Sequence, residues 1–331
     1  MVIYTRPTAP PGTSLKSLIN GFVLTKQTDG KSPRTVEFYA DNLKRFLWYS
    51  QQKEWPDDIR MLTEWDIRDF LGYVANETNR WGIKGNGSEP TRRKVTHTTV
   101  HHYYVVLANF FGWVVREGFL KENPTSKIKV AKPKDKVIKP YIQEEVSRML
   151  AICDKDYESN AKFLGSRNRA LVLVLLDAGV RLSELTGMRM QDVNTSNGNI
   201  RVMGKGSKER IVRIGKVAQK SLWRYLMNRP GNDGEELWLT EEGKPLSPTA
   251  VQCMMKRLKE RAGVIGGGNI HRFRHTFALN FLRVDKNVFN LQYLLGHSEL
   301  EMVRRYTSTL GMEDALKAHE KASPADTMGF K

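Results

Sequence analysis

The sequence predicts a mostly α-helical chain with a small β-sheet, divided into an all-helical N-terminal part and a mixed α/β C-terminal part. Three observations carry that prediction. Apolar residues recur at helical spacing in four segments before residue 118. A lysine-rich stretch with two prolines, residues 127–140, then interrupts the periodicity. Beyond it, a pair of short alternating segments flanks a glycine turn, amid further helical patterns.

Residues 1–13 carry several prolines and read as a flexible arm. A first helix is expected over residues 14–25. Ser32 followed by Pro33 is a start signal, because a serine side chain caps free backbone N–H groups and proline suits the first helical position. Val36, Tyr39, Leu43, Phe46 and Leu47 supply the apolar face of that second helix. Thr63 caps a third, with Ile67, Phe70, Leu71 and Val74 facing inward. The fourth, aromatic-rich, is expected over residues 96–117 and stops at Gly118. Residues 80–94 between them form a glycine-rich basic loop. Residues 127–140 hold six lysines and two prolines and read as an extended basic linker. Helices are then expected at 143–153, 167–178 and 181–188. Asn197-Gly198 marks a turn, and residues 200–202 and 210–214 form a β-hairpin around GKGSKE. A third short strand is expected at 237–240. Ser247-Pro248 opens another helix, and Gly266, Gly267 and Gly268 precede one that begins near His271. Last come helices at 289–295, 300–306 and 312–321.

The 331 residues suffice for two domains. Lys and Arg number 53 against 36 Asp and Glu, a formal net charge of +17. Such a surplus attracts a polyanion, and nucleic acid is the usual one. The two cysteines, Cys153 and Cys253, suggest neither a zinc site nor a disulfide framework, which fits a reducing cytoplasm. The N-terminus lacks the apolar run of a signal peptide, and the longest apolar stretch, residues 170–178, is too short to span a membrane. His97 and His101 have helical i,i+4 spacing, but no Glu or Cys stands near them on an aromatic helix. Core packing or a DNA-facing helix is expected there, and no metal or cofactor.

The chemistry-bearing residues lie in the C-terminal part. His271, Arg274 and His275 fall at i, i+3 and i+4 and share one helical face. The helix start follows three glycines, so outward-pointing backbone N–H groups favour an anion, and a phosphate is a fitting partner for the arginine. Arg181 pairs at i+3 with Glu184, and Lys205 stands between two glycines in the hairpin turn. His297 lies in LLGHS, and Tyr306 follows Arg304 and Arg305.

The segments AGVRLSEL, GKGSKER, HRFRHTFA and LLGHSELEMVRRYTS, in this order and spacing, resemble the tyrosine recombinases (phage integrases), most closely Xer-like members and integrases of mobile elements. Phe273 stands where the family more often has leucine. The resemblance runs from about Ser14 to Tyr306. It implies an all-helical SAM-like core-binding domain (14–126), the linker (127–140), a mixed α/β tyrosine recombinase catalytic domain (141–311), and a C-terminal helix or tail (312–331) that docks on a neighbouring protomer. It further implies that Tyr306 attacks a DNA phosphate to form a 3′-phosphotyrosine and that Arg181 and Arg274 hold the non-bridging oxygens. Lys205 would protonate the leaving 5′-oxygen, His271 would help deprotonate Tyr306, and His297 would add a hydrogen bond. Glu184 would orient the Arg181 or His271 side of the site. Arg34, Lys44, Arg45, Arg92, Arg93, Lys94, Lys132 and Lys134 are expected to contact DNA. The implied partners are duplex DNA with specific core sites, a second copy on one site, a tetramer in the synapse and an accessory or directionality factor. Integration or excision of a mobile element and Xer-type resolution both fit. A nicking and religating enzyme of type IB topoisomerase character, and a DNA-binding regulator with reduced catalysis, are the alternatives.

Overall fold

In the computed structural model, residues 12–77, 94–133, 139–204, 209–231, 235–266 and 269–296 are described. The chain falls into two compact units, residues 1–135 and 136–331.

The first unit is helical among its described residues. It contains α1 (Leu15–Thr28), α2 (Pro33–Gln52), α3 (Glu64–Asn76) and α4 (His97–Arg116). Local chemistry sets the starts. Ser32 Oγ accepts from the Thr35 N–H at 3.3 Å, and Pro33 opens α2. At α3 the Asp66 carboxylate accepts from the Thr63 N–H at 2.7 Å. The core is aromatic, with Phe22, Phe46, Phe70, Phe110 and Phe111 fully buried. Rings meet edge to face, Phe46 on Phe70 at 5.0 Å and Phe22 on Phe110 at 5.6 Å, the arrangement that ring quadrupoles favour.

The second unit contains α5 (Gln143–Glu158), α6 (Lys162–Ala178), α7 (Leu182–Thr186), β1 (Val193–Asn194), β2 (Asn199–Met203), β3 (Glu209–Arg213), α8 (Lys216–Asn228), α9 (Pro248–Arg261), α10 (Asn269–Asp285) and α11 (Val288–Leu295). Helix α6 is its centre. Residues 170–175 are all buried, as befits a helix apolar on every side, and α5, α8 and α10 pack around it. Gly165 permits the α5 contact, since a Cβ there would lie 2.4 Å from the Tyr157 backbone nitrogen. The three strands form one antiparallel sheet in the order β1-β2-β3, with Ile200 opposite Val212 and Val202 opposite Arg210. All four of these residues face inward.

The mostly α chain with a small β-sheet is the expected one. Several local expectations change; α1 runs to Thr28 rather than 25 and α5 to Glu158 rather than 153. Residues 237–240 form no strand of the sheet: Leu239 makes an isolated bridge to Pro245, and the buried Trp238 stacks on Tyr225. The third strand is β1 instead. Helix α8 had no counterpart in the sequence reading. Helix α6 starts five residues before the expected 167. Helix α7 ends at Thr186 rather than 188, because Gly187 caps it. The expected helices at 300–306 and 312–321 lie outside the described residues, as does the loop at 80–94 except for Lys94.

Candidate active site

The site is assembled where α6, α7, β3, α10 and α11 meet. Helix α6 ends at Gly179, whose φ of +59° is in the left-handed region. The side chain of Phe277 fills the space a Cβ would need, 2.3 Å from its ring. That turn buries Val180 and places Arg181 at the N-cap of α7.

Glu184 then fixes Arg181 twice. Its Oε2 accepts from the Arg181 backbone N–H and its Oε1 from Arg181 Nη1, both at 2.8 Å. The same carboxylate receives a bidentate pair from Arg210 on β3, Nη1 to Oε1 and Nη2 to Oε2, again 2.8 Å each. Side-chain exposure is 2% for Glu184 and 7% for Arg210, but 36% for Arg181. Only the guanidinium at the mouth of this chain of charges reaches solvent. Burial alone raises the Glu184 pKa. The Arg210 hydrogen bonds, the Arg181 N–H and the two guanidinium charges outweigh it and bring the carboxyl down to about 2.

Arg274 on α10 is 1% exposed. It donates to the Gly179 carbonyl at 2.7 Å and the Leu295 carbonyl at 2.6 Å. Arg210 Nε donates to the Leu294 carbonyl at 2.7 Å, and Arg181 Nη2 lies 3.5 Å from the Gly296 carbonyl. Three arginines thus cap the C-terminal carbonyls of α11, where the helix dipole favours positive charge. His271 stands one turn before Arg274, exposed. Partial desolvation, and then the Arg274 and Arg181 charges, push its pKa down, so the imidazole is neutral at neutral pH. His275 on the same face is buried, and its pKa is lowered too, first by burial and then by His271.

Of the expected site residues, Arg181, Glu184, His271 and Arg274 come together here. Lys205, His297 and Tyr306 lie outside the described residues, as do Arg92, Arg93 and Lys134. Arg34, Lys44, Arg45, Lys94 and Lys132 are solvent-exposed, and Arg45 borders a concavity between α2 and α4 lined by Phe38, His102 and Tyr103. Among the described residues no three His, Cys, Asp or Glu side chains cluster as a metal site, and no helix is long and apolar enough to cross a membrane.

Sequence reasoning missed two residues. Arg210 is one; an arginine at an inward-facing position of an alternating strand was its signal. Arg272 is the other. It donates to Glu145 at 2.5 Å and to the Lys139 and Pro140 carbonyls at 2.9 and 3.2 Å, and it lies 3.9 Å from the Tyr141 ring centroid. It ties the start of the second unit to α10.

Both halves of the chain have sequence counterparts. Residues 141–311 match the phage integrase family, and residues 18–119 match the SAM-like N-terminal domain of phage integrases. The chain belongs to the phage integrase family, and with it to the tyrosine recombinases, enzymes of site-specific DNA recombination. Among its relatives, tyrosine recombinase XerC of Oceanobacillus iheyensis is 28% identical over 320 residues, covering 93% of this chain and 98% of that protein. XerC of Lactobacillus leichmannii is 31% identical over 225 residues, covering 66% and 74%. The fold is similar to that of the Tn1549 transposon integrase in complex with a circular intermediate DNA, with a TM-score of 0.71 at 16% identity over 94% of this chain and 100% of that one. It is also similar to XerH bound to a palindromic difH substrate, with a TM-score of 0.66 at 20% identity, covering 95% and 85%.

Proposed function

We propose that this recombinase cleaves DNA by attack of Tyr306 on a phosphate held by Arg181 and Arg274, and rejoins it from the 3′-phosphotyrosine through a Holliday junction. The convergence of Arg181, Arg274 and a neutral His271, from segments ninety residues apart, carries this reading.

A phosphodiester anion repels a nucleophile, and charge grows as the fifth oxygen approaches. Fixed guanidiniums lower that barrier without reorganising. Arginine suits the task because its planar fork stays charged and donates to two oxygens. Tyrosine ionises near pH 10, so attack at neutral pH needs a base, and an imidazole kept neutral by its surroundings can take the proton. Lys205 is the acid for the leaving 5′-oxygen in this scheme, and His297 a further donor. The phosphotyrosine conserves the bond energy, so religation needs no ATP. Charge neutralisation by two arginines and a lysine makes the chemistry metal-independent in this reading.

In the same reading, residues 14–126 grip the core site, with Arg34, Lys44, Arg45, Arg92, Arg93 and Lys94 on phosphates. The linker 127–140 follows the DNA backbone through Lys132 and Lys134, and residues 141–311 carry the chemistry. Two copies occupy one site and four form the synapse, with residues 312–331 docking between copies. The related XerH and the Tn1549 integrase were both captured on DNA, which supports a duplex partner. The chain's role is integration or excision of a mobile element, or Xer-type resolution, in the cytoplasm and with an accessory factor.

The test uses a nicked suicide duplex whose site comes from binding selection on random duplexes. An SDS-stable adduct that disappears in Tyr306→Phe is expected. A bound site with no adduct would favour the regulator instead.

A further inference from the structure

We propose that Arg210 is a positioning residue for strand cleavage: through Glu184 it aims Arg181 at the phosphate, and through Leu294 it fixes the end of α11. The proposal rests on the phosphate-binding role given to Arg181 above.

The geometry separates Arg210 from an ordinary buried ion pair. Each of its three nitrogens has an acceptor, the two Glu184 oxygens and the Leu294 carbonyl, all at 2.7–2.8 Å. The partner carboxylate is shared, because Glu184 Oε1 also accepts from Arg181 Nη1. Without Arg210, Glu184 would face Arg181 alone and could swing to take its guanidinium bidentately, drawing Arg181 away from the mouth of the site. With Arg210 in place, the lone pairs nearest β3 are taken and Arg181 is left with one side-chain bond to Glu184 and a long one, 3.5 Å, to the Gly296 carbonyl, so its remaining N–H groups stay available for a ligand. The backbone closes over this arrangement. Gly296, at φ +62°, passes so close that a Cβ there would sit 3.0–3.3 Å from the Arg210 side chain. Arg210 is therefore held on all sides, and its position is that of the β3 strand, which pairs with β2 in fixed register. Strand β3 is thereby linked to Arg181 by two hydrogen-bonded steps, Arg210 to Glu184 and Glu184 to Arg181. Arg210 itself is 8% exposed and turned toward the carboxylate, so it contacts no DNA.

Lysine at this position keeps the charge but offers one nitrogen, which cannot reach both Glu184 oxygens and the Leu294 carbonyl. The test measures single-turnover adduct formation on the suicide duplex for wild type, Arg210→Lys, Arg181→Ala and Tyr306→Phe, alongside DNA affinity and thermal unfolding. Each is repeated on a duplex whose scissile phosphate carries a methyl in place of one non-bridging oxygen. That group is neutral, so a guanidinium has less charge to offset. Arg210→Lys is expected to slow adduct formation on the phosphate by roughly 10–100-fold, as displacement of a catalytic group by about an ångström does. DNA affinity should stay within threefold. The defect should shrink on the methylated duplex in parallel with that of Arg181→Ala. A neutral pair, Arg210→Gln with Glu184→Gln, replaces Arg210→Lys if that variant fails to fold, and the same pattern is expected of it. A folded variant that cleaves within threefold of wild type overturns the proposal. So does a defect equally large on both duplexes, which would mark a structural role. No adduct from wild type, or one that survives Tyr306→Phe, removes the underlying reading and the proposal with it.

Discussion

Replacing Gly179 by alanine tests the joint on which the site turns. Two costs can be worked from its geometry. An L-residue at φ +59° loses about 1–2 kcal/mol in the left-handed region. The new Cβ would also lie 2.3 Å from one Phe277 ring carbon and 2.8 Å from another, well inside van der Waals contact, so the ring must move. Forcing an extra methyl into packed surroundings costs about 1–3 kcal/mol. The sum, about 2–5 kcal/mol, lowers the melting temperature of a unit this size by roughly 4–20 °C. Thermal unfolding followed by circular dichroism reads it. The two costs separate in a double-mutant cycle with Phe277→Ala. With the ring gone, Gly179→Ala should retain only the backbone strain, and the coupling should be about 1–3 kcal/mol. Because the Gly179 carbonyl accepts from Arg274, adduct formation should fall more than DNA affinity. Additive effects in the cycle, or an unchanged melting temperature, would refute the reasoning.

Three further outcomes are expected. The His271 pKa is depressed, so its neutral form persists below pH 6.5; cleavage should keep its neutral-pH rate past that point and fall only as the pH drops through the lowered pKa, with an acid limb that His271→Asn lacks. The same depression contributes stability above the unfolded value of 6.5 that is lost as pH falls through the folded pKa, since the unfolded chain takes the proton first, and urea titrations at several pH values check the sign. Arg272→Met should destabilise the second unit by about 3–5 kcal/mol, because it leaves Glu145 charged and buried, while adding Glu145→Leu should restore most of the loss in denaturant unfolding.

Elements with a local cause could be read from the sequence. Ser32-Pro33 starts α2 because the Ser32 hydroxyl accepts from the Thr35 N–H, and the antiparallel β2–β3 pair follows from alternation on either side of a glycine-containing stretch. Elements shaped by distant partners could not. Residues 237–240 are mostly apolar and look like a strand, yet their backbone groups bond to scattered partners, Met188, residues 244 and 246, the Tyr225 hydroxyl and the Arg167 side chain. The buried face of α8 contains Ala218 and Ser221 beside Leu222 and Tyr225, which blunts its apolar period. The first turn of α6 ends in Gly165, a poor helix former whose smallness matters only once α5 lies against it. At the site, the pairing of Arg181 with Glu184 was legible because both lie on one helical turn. The third member, Arg210, was not, because 26 residues separate it from Glu184 and only the folded hairpin brings them together.

The capping of α11 sets a radius. Gly296 is the last residue before the segment that leads to Tyr306, and the carbonyls at 294 and 295 are pinned to two different elements. Ten residues separate Gly296 from Tyr306, a chain that spans at most about 36 Å when fully drawn out. The tyrosine is thus on a leash with a fixed post. In the proposed reaction, whether Tyr306 serves its own copy or a neighbour, the phosphate must lie within that reach plus the length of the tyrosine side chain, and the post is tied to Arg274, which is proposed to hold that phosphate.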